Sequence, residues 1–222
     1  MKRVFIGFVL LAIFSREYSQ KTDKFFNRMN PVIRGYEGSS RMAGEYFKRG
    51  ISKMTGKEFQ EAIDDFTKAI EMDPGYTEAY NNRGIAKRNL TDYKGALEDL
   101  NKATELDPKY EEAYNNRGNV KLDLGDFQGA IDDYSKAIEL DHRLANAYNN
   151  RGLAKNELRD YEGAIDDFTR AVKIVPRFAQ AYTNRGVVKI TIGRKEEGCR
   201  DLSRAAELGN AIADTLIRIH CE

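Results

Sequence analysis

The hexapeptide Ala-Tyr-Asn-Asn-Arg-Gly occupies residues 79–84, returns unchanged at 113–118 and 147–152, and recurs as Ala-Tyr-Thr-Asn-Arg-Gly at 181–186, always 34 residues on. A catalytic motif needs writing only once, whereas a fixed interval of this size marks a copied supersecondary unit. Other positions keep the same step. Pro74, Pro108 and Pro176 share a slot that His142 fills once, and Ala62, Ala96, Ala130 and Ala164 share another. Phe66, Leu100, Tyr134 and Phe168 form a third series. The ruler divides the chain into five units, residues 43–76, 77–110, 111–144, 145–178 and 179–209, followed by a tail at 210–222.

Each unit reads as two helices. In the second, residues 77–89 and 94–106 carry helical spacing around the break Thr-Asp-Tyr-Lys-Gly, and Asp107-Pro108 stops the second helix because proline disfavours helical backbone in its predecessor. Neither helix buries its apolar stripe alone, so successive pairs must stack. The pattern Tyr80, Arg83, Gly84 and Lys87, then Ala96, Leu100, Ala103 and Pro108, resembles the tetratricopeptide repeat (TPR). That resemblance implies an all-α fold, a right-handed superhelix (α-solenoid) of antiparallel helix pairs, and a concave groove lined by the first helices. Departures stand at fixed slots. Tyr80, Tyr114, Tyr148 and Tyr182 replace the family's tryptophan or large apolar residue, Arg83 and its copies replace a leucine, and Lys87 and its copies replace a tyrosine.

A helix turns by about 100° per residue, which sorts the hexapeptide by direction. Tyr80, Gly84, Arg83 and Lys87 share one side, where the glycine admits the partner helix near Ala96. An arginine on that packed flank needs a carboxylate, since an unpaired buried cation is costly. The candidates recur as Arg49 with Asp65, Arg83 with Asp99, Arg117 with Asp133, Arg151 with Asp167 and Arg185 with Asp201, within or between repeats, and are expected to set register between units. The opposite side carries two polar rows, Asn82, Asn116, Asn150 and Asn184, and Asn81, Asn115, Asn149 and Thr183. Beside them stand Ile85, Asn119, Leu153 and Val187. A side-chain amide both donates and accepts, so these rows suit the backbone of an extended peptide. The asparagines resemble the ladder in the superhelices of O-linked N-acetylglucosamine transferases, in the ladder alone. The lysines of the family's carboxylate clamp are missing from the groove slots, which disfavours a carboxylate-terminal partner.

In the tail, Ile212, Leu216 and Ile219 share a face, so residues 210–222 read as a polar-backed capping helix. Cys199 and Cys221 fall at equal heights either side of the turn at Gly209-Asn210. They are a disulfide in an exported chain or two buried thiols in a cytosolic one. At the other end Met1, Lys2 and Arg3 precede an apolar run from Val4 to Phe14, too short to span a bilayer but suited to a signal peptide over residues 1–20, or an uncleaved anchor. Residues 21–42 read as a linker or loose N-terminal cap.

The formal charge is +1 from 36 basic and 35 acidic side chains, which offers no field for nucleic acid. Only His142 and His220 supply imidazoles, and no triad, phosphate-binding loop, cofactor motif or metal-ligand set appears. The reading is a non-enzymatic scaffold that holds a segment of another protein in the asparagine-lined groove. The chain is expected to be exported, bacterial and periplasmic or secreted, with membrane contact only if the N-terminal segment persists. Oligomeric state is open. The alternative is a structural subunit of an envelope complex that uses its convex face or its anchor.

Overall fold

The computed structural model describes residues 39–222, in which eleven α-helices follow one another without a strand. The segments 1–20 and 21–38 lie outside the described residues. Helix α1 covers residues 39–55. It is followed by α2 (Phe59–Met72), α3 (Thr77–Asn89), α4 (Tyr93–Leu106), α5 (Glu111–Asp123) and α6 (Phe127–Leu140). Then come α7 (Ala145–Glu157), α8 (Tyr161–Ile174), α9 (Ala179–Thr191), α10 (Lys195–Glu207) and α11 (Ala211–His220). Helix already runs at residue 39, so 39–42, expected within a linker or N-terminal cap, are continuous with the first helix of the array. Ser39 there donates to the Met72 carbonyl at the end of α2 (2.8 Å).

Odd-numbered helices are the first of each pair and even-numbered the second, and each packs on its chain neighbours. First helices also touch one another, α3 on α5, α5 on α7 and α7 on α9. The core is therefore continuous. Ala96 and Leu100 of one repeat pack on Val120 of the next, Ala130 and Tyr134 on Ala154, and Ala164 and Phe168 on Val188. Burying each such large side chain stabilises by roughly 1.5–3 kcal/mol, and the adjoining unit supplies part of that burial. The hexapeptide glycine permits the close approach of the two helices within a repeat: a Cβ on Gly118 would stand 2.8 Å from the Tyr134 ring, and one on Gly84 2.8 Å from Leu100.

Helix ends follow from side-chain chemistry. Asp73, Asp107 and Asp141 accept from the backbone N–H two residues on, at 3.0, 2.8 and 2.9 Å, which turns the chain out of the second helix. This explains why His142 can stand in the proline slot: the preceding aspartate stops the helix without it. Val175-Pro176 stops α8 with proline alone. Second helices α4, α6 and α8 start on Asp92, Asp126 and Asp160, which accept from Gly95, Gly129 and Gly163. A Cβ at any of these glycines would meet the capping carboxylate at 2.2 Å.

The last helix differs from expectation. Ala213, Leu216 and Ile217 of α11, with Cys221 after it, pack on Leu202 and Ala205, while Ile212 and Ile219 are 62% and 64% exposed. Of the face shared by Ile212, Leu216 and Ile219, only Leu216 thus reaches the packed side, which centres on the fully buried Ala213. The lid is apolar on part of its outer side.

Candidate functional site

Two side-chain systems run the length of the solenoid, and both start from the hexapeptide. On the packed flank each arginine grips the aspartate 16 residues on: Arg83 donates from Nε and Nη2 to Asp99 at 2.9 and 2.7 Å. Arg117 with Asp133, Arg151 with Asp167 and Arg185 with Asp201 repeat the fork at 2.6–2.9 Å. Arg49 pairs with Asp65 in the same way, and this bond holds the Asp65 carboxyl below its ordinary pKa. The third arginine nitrogen reaches backward. Nη1 of Arg83, Arg151 and Arg185 donates to Thr67, Ser135 and Thr169 of the preceding second helix, each at 3.0 Å. Arg117 does so to Asn101 and Thr104, both at 2.9 Å. One guanidinium thereby ties three helices.

The acidic halves of these pairs are interior groups. Asp65, Asp99, Asp133, Asp167 and Asp201 are buried, each 3–7% exposed, so none of them offers a carboxylate to a partner at the surface. Of the two arrangements expected for the arginine–aspartate pairs, within or between repeats, the structure shows the first. Both members of each pair belong to one repeat, so the fork joins the two helices of that repeat, and only the backward Nη1 bond crosses a boundary. What differs in the last repeat is the surroundings of Lys189, since Arg185 forks onto Asp201 as its counterparts do onto theirs and so leaves the expected pair intact at Asp201. Asp201 is buried in α10 at 7% exposure, accepts from Arg185 and lies 3.0 Å from Lys189, which also stands 3.4 Å from Glu197. The last repeat thus holds its cations with two carboxylates, where repeats 2, 3 and 4 use the aspartate alone.

Sequence reasoning missed the second cation. Lys87, Lys121, Lys155 and Lys189 place Nζ 2.7–3.0 Å from the same aspartates. Each arginine from Arg83 onward also lies over its hexapeptide tyrosine, 5.2–5.6 Å from the ring centroid. The helical angle had already set the lysine beside the arginine, and this was the available signal. Buried and held by two cations, the aspartate belongs to the scaffold rather than to a reaction site. Among the described residues no cluster of ligands suits a metal ion.

On the opposite side the asparagines form the wall of the first helices, but much of their capacity is spent on one another. Asn116 donates to Asn81, and Asn184 to Asn149, each across a repeat boundary at 2.9 Å. Asn81, Asn149 and Thr183 are 3–4% exposed. The expectation that these three present groups to a peptide is therefore corrected: the close approach of consecutive first helices buries them in the boundary. Asn82 donates to the Glu78 carbonyl of its own helix, and Gln180 donates to Asn184. Ile85, Leu153 and Val187 stand half-buried or exposed beside the amides, as the spacing implied.

The ladder slips once. By the 35-residue step of the other rungs, Asn150 should reach Asn115, yet it donates to Asn119 at 2.9 Å. Asn119 is the single amide in the row of Ile85, Leu153 and Val187, and its Oδ1 also accepts from the Tyr134 hydroxyl at 2.8 Å. Burial pushes the Tyr134 phenol pKa up, so it remains a donor. The slip leaves Asn115 Oδ1 buried without a hydrogen-bond partner. Beside it opens a hollow of about 350 Å³ lined by Asn82, Ile85, Tyr110, Asn116, Leu144 and Asn146, among others. Burial and the neighbouring Glu112 carboxylate push the Tyr110 phenol up as well, which keeps a hydroxyl in this wall.

At the C-terminal end Cys199 of α10 and Cys221 after α11 are joined as a disulfide with Cα atoms 5.8 Å apart. No helix among the described residues is long and apolar enough to cross a membrane.

Comparison with known proteins gives matches to family models described as "TPR repeat" at residues 86–125 and 118–158 and "Tetratricopeptide repeat" at 145–178 and 46–76. Together these cover more than half of the chain. A DnaJ protein P58IPK homolog of Arabidopsis thaliana is 36% identical over 52 residues, 23% of this chain and 11% of that protein. The chain thus spans about a tenth of that relative. Among solved structures, MamA is 28% identical with a TM-score of 0.65, over 72% of this chain and 93% of that one. The first TPR domain of Spaghetti (RPAP3), bound to an HSP90 peptide, is 28% identical with a TM-score of 0.53, over 54% of this chain and 95% of that one.

Proposed function

Because the chain belongs to the tetratricopeptide repeat family, we propose that it is a non-enzymatic interaction scaffold that holds an extended segment of another protein in the groove of α3, α5 and α7. The observation that carries this reading is the orphaned Asn115 Oδ1 beside an open hollow. Leaving a buried acceptor unpaired costs about 1–3 kcal/mol, and a backbone N–H of a bound segment relieves it once the Asn115 amide turns toward the hollow. Ile85 and Leu144 offer apolar contact for one of its side chains, and Asn146 and Tyr110 offer polar ends. The HSP90 peptide of the RPAP3 domain illustrates the mode of binding, but the groove slots here lack lysines, so the segment is internal rather than a carboxylate tail. The disulfide supports export to an oxidising compartment, a bacterial periplasm or the exterior.

The self-bonding of the asparagines supports a second reading, in which the groove is structural and an envelope complex is joined through the convex face or the N-terminal segment. The test is crosslinked co-purification from the envelope fraction with the native chain and with Ile85→Glu and Asn115→Leu variants, each verified as helical by circular dichroism. Loss of the partner from both variants supports the groove. Equal recovery with all three chains rejects it in favour of the second reading.

A further inference from the structure

The repeats agree so closely that a departure confined to one of them is informative. Second helices of repeats 2 and 3 carry a Lys three residues before a Glu, paired as Lys102–Glu105 at 2.9 Å and Lys136–Glu139 at 3.0 Å. Repeat 5 does the same with Arg204–Glu207 at 2.7 Å. In repeat 4 the two slots hold Arg170 and Lys173, both exposed, and neither meets a carboxylate among the described residues. Like charges so spaced on a helix repel. The favourable field at a helix C-terminus does not account for them, because the equivalent helices end in the same field and place glutamate there.

The loop that faces this pair departs too. His142 fills the slot where Pro74, Pro108 and Pro176 stand, and Arg143 beside it is 79% exposed with only Asp141, at 3.8 Å, near it. His142, Arg143, Arg170 and Lys173 line one open cavity of about 770 Å³, walled by Arg151 and Lys155, whose charges Asp167 already holds. Asp166 is the one further carboxylate in the lining. Three cations not engaged across the cavity thus face one anion. A smaller hollow of about 380 Å³ shares Asp166, Arg170 and Lys173 with it. The cleft opens on the Tyr148–Arg151 flank of α7, a different side from the asparagines.

We propose that this cleft at the junction of repeats 3 and 4 is a second binding site, which takes an acidic peptide segment with two or more closely spaced Asp or Glu side chains. A single small anion would occupy little of the volume, whereas a peptide can lay one carboxylate beside Arg143 and another between Arg170 and Lys173. The chain carries a net charge of only +1, so the attraction is local to this patch.

The experiment is fluorescence anisotropy of labelled hexaglutamate with the full chain at low salt, with pyrophosphate as competitor. Two variants make the same charge change: Lys173→Glu, which installs the residue of the other repeats, and Lys94→Glu, on the exposed face of α4. The expected result is saturable binding that weakens steeply with salt, falls about tenfold or more in Lys173→Glu, and changes about twofold or less in Lys94→Glu. Absence of binding, or equal weakening in both variants, overturns the site. Displacement by pyrophosphate at far lower concentration than by unlabelled hexaglutamate overturns the peptide as its occupant.

Discussion

Repeats 1 and 3 share the same Tyr-x-x-Arg-Gly first helix and the same aspartate, yet the ion site differs between them. Arg117 has a side chain 18% exposed, bonds the preceding second helix through Nη1, and shares Asp133 with Lys121. Arg49 has a side chain 54% exposed, and Lys53 turns to Glu58 instead of Asp65. Among the described residues no second helix precedes α1. The difference shows that the motif supplies the arginine–aspartate fork, whereas its burial and its bond network come from the neighbour. Helix starts differ in the same way: Asp126 caps α6, while Glu58 makes no cap bond to α2.

The largest test of this contrast is removal of the aspartate. Asp133→Ala leaves Arg117 and Lys121 without a counter-charge inside the stack and should destabilise by about 3–5 kcal/mol in urea unfolding. Asp65→Ala should be clearly milder, and equal losses would break the comparison. Next in size is the covalent tie at the other end. Removing it with paired Cys199→Ser and Cys221→Ser changes should cost about 2–4 kcal/mol, with faster amide exchange in α10 and α11 and little change in α5 and α6. Uniform exchange throughout would mean that the repeats unfold as one unit.

A smaller contrast lies in the caps. Asp126→Ala should cost about 1 kcal/mol and Glu58→Ala much less, read from the same urea curves. The turn between paired helices offers the opposite sign: Thr91 (φ 62°) occupies the left-handed slot that Gly125 (φ 76°) fills in repeat 3. Thr91→Gly should stabilise by about 1 kcal/mol, since a β-branched residue is strained there. Smallest is the share of the alkaline effect that the core of repeat 3 contributes. A phenol with a raised folded-state pKa contributes stability that is complete below the ordinary value near 10 and is lost as pH rises through the folded value. Tyr134→Phe, the residue type at Phe66 and Phe168, should flatten the loss of stability above pH 10 and leave the acid side unchanged.

The period, the helix pairs and the arginine–aspartate partners were legible because each follows from spacing alone, and a slot repeated five times names its own partner. What spacing could not show was competition between partners. The ruler pairs Asp201 with Arg185, but the slot of Glu197 is glycine in repeats 2, 3 and 4, so repetition does not announce the second carboxylate at Lys189. Asn81 and Asn149 have the right direction for the groove, but the approach of adjacent first helices offers each an amide at 2.9 Å, and the nearer partner takes it. The slip at Asn150 needed the Tyr134 hydroxyl, donated from the second helix of the same repeat as Asn119, to fix that amide in place. In α11 the choice between Ile212 and Ala213 depended on how closely the turn at Gly209 (φ 89°) sets the helix against α10, a distance no periodicity encodes.

The backward reach of each arginine has a consequence for how the molecule is made. A repeat emerging during synthesis finds the hydroxyl or amide that its guanidinium needs already fixed in the repeat made before it, and its own aspartate arrives 16 residues later. No unit waits for a distant segment to complete its charged site. Truncation from the C-terminal end leaves every remaining arginine its forward and backward partners, whereas truncation from the N-terminal end strips one at the new edge. The array has a direction, and it is the direction of translation.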